Sequence, residues 1–163
     1  ASLLAILSGG AVTGALMASA INDPNSSRAE RIAAVMPRLA DTVRRWQAHT
    51  GLTPAQTVLA GFSQGAIMSL ESTQVSEPLA ERVVAMSGRF AVPPRWAPAG
   101  VVWRFIHGDQ DPVIDAEHSL QAAAQLQTLG ADAHADVLPG LGHGIDPRAL
   151  ALLTAALDRG LVA

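Results

Sequence analysis

The sequence predicts an α/β fold: a reduced, mostly parallel sheet with helices on both faces. Three observations carry this. Short runs rich in Val, Leu and Ile are apolar throughout, as strands buried on both sides should be. Stretches with helical spacing alternate with those runs. The pentapeptide Gly61-Phe62-Ser63-Gln64-Gly65 stands between an apolar run and a helical stretch, as a sharp strand-to-helix bend would.

The elements follow in order. Ala1 to Asn22 carries no charged side chain and is rich in Ala, Gly, Ser and Leu. A membrane span and part of a signal peptide both fit its length. Ala18-Ser19-Ala20 resembles a cleavage site, but a positive leading region is absent and Gly9-Gly10 interrupts the stretch. A third reading suits the rest of the chain better: strand Leu3 to Leu7, turn Ser8-Gly9-Gly10, buried helix Val12 to Ile21. Asn22 to Ser26 is a loop. Ser27 and Glu30 form a capping box that opens a helix to about His49. Ile32, Val35, Met36, Leu39, Val43 and Trp46 fall near helical spacing and should cover a sheet. Pro37 should kink this helix, and Gly51 stops it.

Thr57 to Phe62 is a strand and Gln64 to Thr73 a helix. Arg82 to Met86 and Val101 to Ile106 are further strands. Asp115 caps a helix to Leu129, closed by Gly130. Ala133 to Leu138 is a strand, and Asp146-Pro147 opens a last helix to about Leu157.

The 163 residues suffice for one domain, with 1–27 an atypical apolar start. An apolar share of 49% argues against disorder. The absence of cysteine excludes disulfides, thiolate metal sites and a cysteine nucleophile. The net charge is −3 and no long basic block occurs, so nucleic acid is not an expected partner. Arg44-Arg45 and Arg28 to Arg31 read as helix surface, and Glu71 and Arg89 also read as surface.

Chemistry in an open parallel sheet collects beyond the carboxyl ends of the strands. Ser63 follows one strand, Asp109 and Asp111 the next but one, and His143 the last. The order Ser, acid, His is that of an α/β-hydrolase triad. Gly61 and Gly65 clear the crowded bend and lift the Ser63 hydroxyl toward a base. Neutral His143 can take that proton and return it to a leaving group. Asp111 is the choice to hold the other imidazole nitrogen, while Asp109 shapes the turn. The glycines at 140, 142 and 144 let His143 approach on a closely packed backbone. His107 should pack or hydrogen-bond beneath the acid loop, and His134 should lie at the surface. Arg104, on a buried strand pattern, needs a partner. No histidine pair has zinc-protease spacing, so no metal site is expected.

These motifs resemble the phospholipase/carboxylesterase family of α/β-hydrolases, the group that includes acyl-protein thioesterases. Gly61-Phe62-Ser63-Gln64-Gly65-Ala66 is similar to its elbow. His107-Gly108-Asp109-Gln110-Asp111-Pro112-Val113-Ile114 is similar to its acid loop, and Gly142-His143 to its histidine segment. The likeness covers about Arg28 to Leu157 and is strongest to small bacterial serine esterases. It implies an α/β-hydrolase fold and a serine carboxylesterase. The substrates would be small esters of short or medium acyl chains, or thioesters, with no cofactor. It also implies a cytoplasmic setting, no membrane partner and compatibility with a homodimer.

The start departs from that pattern. Leu3 to Gly10 reads as a degenerate copy of a strand and a His-Gly oxyanion loop, with Ser8 in place of the histidine. Further strand-loop material is missing, as in a minimal form, a fragment or an altered reading frame. The Gln64 amide is one expected oxyanion donor; Gly9, Gly10 or Ala11 should supply the second. Losing one donor costs roughly 3 kcal/mol of transition-state stabilisation, so a weak esterase fits the sequence. Leu141, Ile145, Val113 and Ile114 are the candidate acyl wall. Competing readings are an inactive hydrolase kept as a binding or structural protein, and a hydrolase anchored to a membrane by Ala1 to Asn22.

Overall fold

The computed structural model describes residues 3–7, 27–75 and 77–158, the first of these as backbone. The expected turn at Ser8, helix at Val12 to Ile21 and loop at Asn22 lie outside the described residues. Among the described residues five strands run parallel in chain order: β1 (Leu3–Leu7), β2 (Thr57–Phe62), β3 (Arg82–Met86), β4 (Val102–Gly108) and β5 (Asp132–Leu138). All their carboxyl ends therefore share one edge. Among the described residues four α-helices accompany them: α1 (Arg28–Thr50), α2 (Gln64–Ser72), α3 (Glu117–Thr128) and α4 (Pro147–Asp158). Among the described residues no helix is long and apolar enough to cross a membrane.

Helix ends follow local chemistry. Ser27 and Glu30 close a reciprocal capping box at α1, and Gly51 ends that helix in the left-handed conformation at φ 70°. The helix continues through Pro37. Asp115 accepts the Glu117 N–H at 2.8 Å before α3, and Asp146 accepts the Ala149 N–H at 2.9 Å before α4.

Alternation along the strands divides the core. Leu59 faces α1 and α2, while Val83, Trp103, Phe105 and Ala133 pack with Ala66 and Leu70 of α2 and with Ala122 and Leu126 of α3. Val58, Ala60, Val84, Met86 and Ile106 point to the other face, where Ala149, Leu153 and Ala156 of α4 cover them. Trp103 is fully buried, and its indole N–H has no hydrogen-bond partner among the described residues.

Two expectations fail in opposite directions: Trp46 should cover the sheet and Glu71 should lie at the surface. Trp46 is 57% exposed, and Gln47 beside it is the buried residue. Gln47 donates to Thr57 Oγ1 at 3.0 Å and to the Leu79 carbonyl at 2.7 Å, so a polar side chain ties α1 to the amino end of β2. Glu71 is buried rather than at the surface. The connection from β3 to β4 has no helix, so its backbone donors need acceptors. Glu71 Oε1 accepts the Ala91 and Val92 N–H groups at 2.7 and 3.4 Å, and Gln74 Oε1 accepts that of Arg95 at 2.9 Å. Arg104 finds its partner in Asp132, at 2.8 and 3.3 Å.

Candidate active site

Ser63 sits between β2 and α2 with φ 56° and ψ −115°, a positive φ that a non-glycine residue adopts at a cost of roughly 1–3 kcal/mol. Its N–H donates to the Met86 carbonyl at 2.9 Å, and its carbonyl accepts the Ile67 N–H at 3.1 Å. Those bonds hold the bend from both sides. A Cβ on Gly61 would lie 2.2 Å from the Gly65 carbonyl carbon, so the strand and the first helical turn touch backbone to backbone. That contact requires glycine at position 61.

The acid loop leaves β4 at Gly108. Asp111 Oδ1 accepts the Val113 and Ile114 N–H groups at 2.8 and 3.0 Å. Its Oδ2 accepts the His143 Nδ1–H at 2.8 Å. The remaining nitrogen, His143 Nε2, lies 3.0 Å from Ser63 Oγ and faces it as an acceptor. The Phe62 ring lies 5.0 Å from the imidazole and packs beside it. The Asp111 side chain is fully buried, that of His143 is 19% exposed, and Ser63 is half-buried. The hydroxyl and base are thus reachable, and the carboxylate is shielded.

Burial alone would push the Asp111 carboxyl up. Hydrogen bonds from the Ile114 N–H, His143 and the Val113 N–H, together with the charge of His143, outweigh it and hold the carboxyl below its ordinary value. Asp146 is also lowered, first by the Ala149 N–H, against burial and with help from Arg148.

The histidine loop is fastened to the acid loop rather than simply following β5. Asp109 Oδ1 accepts the Gly140 N–H at 2.7 Å, and the Gln110 N–H donates to the Leu141 carbonyl at 2.9 Å. Asp109 thus shapes the turn beneath His143, not its own turn. The crowded glycine is Gly108: a Cβ there would lie 2.1 Å from the Leu141 oxygen and 2.7 Å from the Gly142 oxygen. Around the histidine the expectation needs correction. Gly142 has only the Gln110 oxygen nearby, at 3.9 Å, and Gly144 faces open space. Gly140 instead takes a left-handed φ of 76°.

A second serine and histidine lie below the first pair. His107 Nδ1 is 2.7 Å from Ser119 Oγ, and His107 Nε2 is 2.7 Å from the Ile114 carbonyl and 3.2 Å from Asp111 Oδ2. Both residues have no exposed surface, so an ester cannot reach this hydroxyl. His107 lies beneath the acid loop, as its place in the sequence predicts; Ser119 belongs to none of the sequence motifs. Its signal was there, because Ser119 falls on one stripe with the buried Ala122, Ala123 and Leu126. His134 is exposed as expected.

Of the expected acyl wall, Ile114 is corrected to core: it packs with Ile32, Leu39 and Met68. Leu141 is partly buried against the α4 cluster, whereas Val113 and Ile145 are 66% and 47% exposed. Gln64 opens α2, and Gly9, Gly10 and Ala11 lie outside the described residues.

The sequence profile described as phospholipase/carboxylesterase matches residues 17–159. The chain belongs to the phospholipase/carboxylesterase family. Esterase YpfH of Escherichia coli (strain K12) is 44% identical over 124 residues, which are 76% of this family member and 53% of YpfH. Acyl-protein thioesterase 1 of Gibberella zeae is 31% identical over 120 residues, 69% of the chain and 51% of the thioesterase. The chain thus spans about half the length of these two relatives. The crystal structure of esterase PE8 superposes with a TM-score of 0.78 at 27% identity, covering 97% of this chain and 92% of that one. The parallel sheet flanked by helices is the α/β-hydrolase-like fold of this phospholipase/carboxylesterase family member.

Proposed function

We propose that the chain is a serine carboxylesterase that cleaves small carboxylic esters of short or medium acyl chains through an acyl-enzyme. The observation that carries this reading is the reachable hydroxyl of Ser63, 3.0 Å from a His143 whose other nitrogen is 2.8 Å from a buried Asp111. Family membership and the likeness to esterase YpfH support it.

His143 Nε2 takes the Ser63 proton as Oγ attacks the ester carbonyl carbon, and the carbonyl electron pair moves onto oxygen. Asp111 stabilises the imidazolium and keeps Nδ1–H aimed away from the serine. The oxyanion is met by the Gln64 amide at the start of α2 and by a second amide from Gly9, Gly10 or Ala11. Collapse breaks the bond to the alcohol oxygen, which leaves with the proton from His143. Water, activated by the same imidazole, then attacks the acyl carbon and frees Ser63. A thioester follows the same route with sulfur as the leaving atom. Val113 and Ile145 are the exposed apolar groups beside the acid and histidine loops that would contact the acyl chain.

Purified protein should hydrolyse a short-chain aryl ester, and Ser63→Ala should abolish turnover. A fluorophosphonate should modify Ser63, located by mass spectrometry of the peptide. Equal rates before and after the substitution, in folded protein, would defeat this reading. Absence of any adduct would favour a non-catalytic binding role.

A further inference from the structure

We infer that His107, oriented by Ser119, is a positioning residue that fixes the Asp111 carboxylate from below. This rests on the proposed roles of Ser63, His143 and Asp111. The Ile114 carbonyl can only accept, so His107 Nε2 carries a proton and donates it across 2.7 Å. The other nitrogen, Nδ1, faces the Ser119 hydroxyl across 2.7 Å and accepts its proton in that tautomer. The Ile114 carbonyl and the Asp111 carboxylate, which only accept, therefore select the tautomer, and the Ser119 hydroxyl, which can donate or accept, satisfies the other ring nitrogen and holds the ring in place.

That tautomer matters because Nε2–H also lies 3.2 Å from Asp111 Oδ2, the oxygen that accepts from His143 Nδ1 at 2.8 Å. One carboxylate oxygen is thus faced by two imidazoles, His143 on the open side and His107 on the closed side. Oδ1 is held by the Val113 and Ile114 N–H groups. With Ile114 itself anchored through its carbonyl to His107, the segment carrying Asp111 is pinned to β4 and to α3 together. The opposite tautomer would place a lone pair against the Ile114 oxygen and against Oδ2, and would turn the carboxylate out of line with His143. His107 and Ser119 touch no reacting atom, because both are fully buried.

Ser119→Ala removes the hydroxyl and leaves the packing nearly unchanged. We expect kcat on a short-chain aryl ester to fall roughly fivefold with KM unchanged. The acid limb of the kcat/KM profile should move to lower pH by about half a pH unit, since a less well-aligned carboxylate holds the His143 proton less firmly. In an Asp111→Asn background the same substitution should add no further loss, because its effect runs through that carboxylate. His107→Gln keeps a donor for the Ile114 carbonyl and should retain more activity than His107→Leu, with folding of each checked by circular dichroism. An unmoved acid limb with unchanged kcat in folded Ser119→Ala overturns the inference, as does an undiminished loss in the Asp111→Asn background. Ser63→Ala separates the two readings. Residual turnover there sinks the nucleophile assignment, whereas an inactive Ser63→Ala beside an unaffected Ser119→Ala sinks only the positioning role.

Discussion

Two serine–histidine pairs meet on Asp111, and distance does not distinguish them. Ser63 and His143 are 3.0 Å apart; Ser119 and His107 are 2.7 Å apart. The pairs differ in backbone and access. Ser63 sits at a positive φ at the open edge of the sheet, while Ser119 lies inside α3 with no exposed surface. A hydroxyl becomes a nucleophile only where a carbonyl carbon can reach it, so the lower pair can serve structure alone. The comparison also explains why a buried carboxylate can face both rings: each surrounding donor lowers the cost of keeping its charge out of water.

The largest expected effect breaks the comparison outright. Fluorophosphonate should label Ser63 and leave Ser119 unmodified in native protein, and Ser63→Ala should remove the adduct entirely. A modified Ser119 peptide would reverse the roles of the two pairs. Asp111→Asn removes the charge common to both and should lower kcat by about 10³- to 10⁴-fold, measured on the same aryl ester. Gly108→Ala comes next. Its Cβ would run into the Leu141 oxygen, so the acid and histidine loops must move apart. The expected result is about 1–3 kcal/mol lost in chemical denaturation, together with slower labelling. Gly144→Ala, which meets no atom within 4 Å, should change stability by less than about 0.5 kcal/mol.

Acid gives the smallest effect and sharpens the electrostatic side. The Asp111 carboxyl titrates lower in the folded protein than in the unfolded chain. Its contribution to stability is therefore complete above the unfolded value of about 3.9 and is lost as pH falls through the lower folded one. The melting temperature of the wild type should drop more steeply below about pH 4 than that of Asp111→Asn. Parallel curves for the two proteins would remove the linkage.

Much of this arrangement was legible in the residues. Strands Thr57–Phe62 and Arg82–Met86 have the bounds their apolar runs implied, because burial on both sheet faces leaves a continuous signal. Caps at Ser27 and Asp146 were legible because the partner lies three residues away. Long-range polar contacts were not. Glu71 reads as surface until the Ala91 amide, twenty residues on, is known to need an acceptor. Ile114 looks like pocket wall until α1 is known to pack against it, and the fit of Gly108 under Leu141 joins two loops far apart in the chain. The grouping of Ser63, Asp111 and His143 at one edge followed from parallel strands sharing a direction. The hydrogen bonds that aim them at one another followed from nothing local.

The chain has 3 tryptophans and no tyrosine. Trp46 and Trp96 meet solvent, and Trp103 is sealed within the strand that leads into the acid loop. An indole enclosed by hydrocarbon emits toward the blue and is sheltered from dissolved quenchers. The protein therefore carries its own optical gauge, with one dry lamp inside the sheet and two wet ones at the surface.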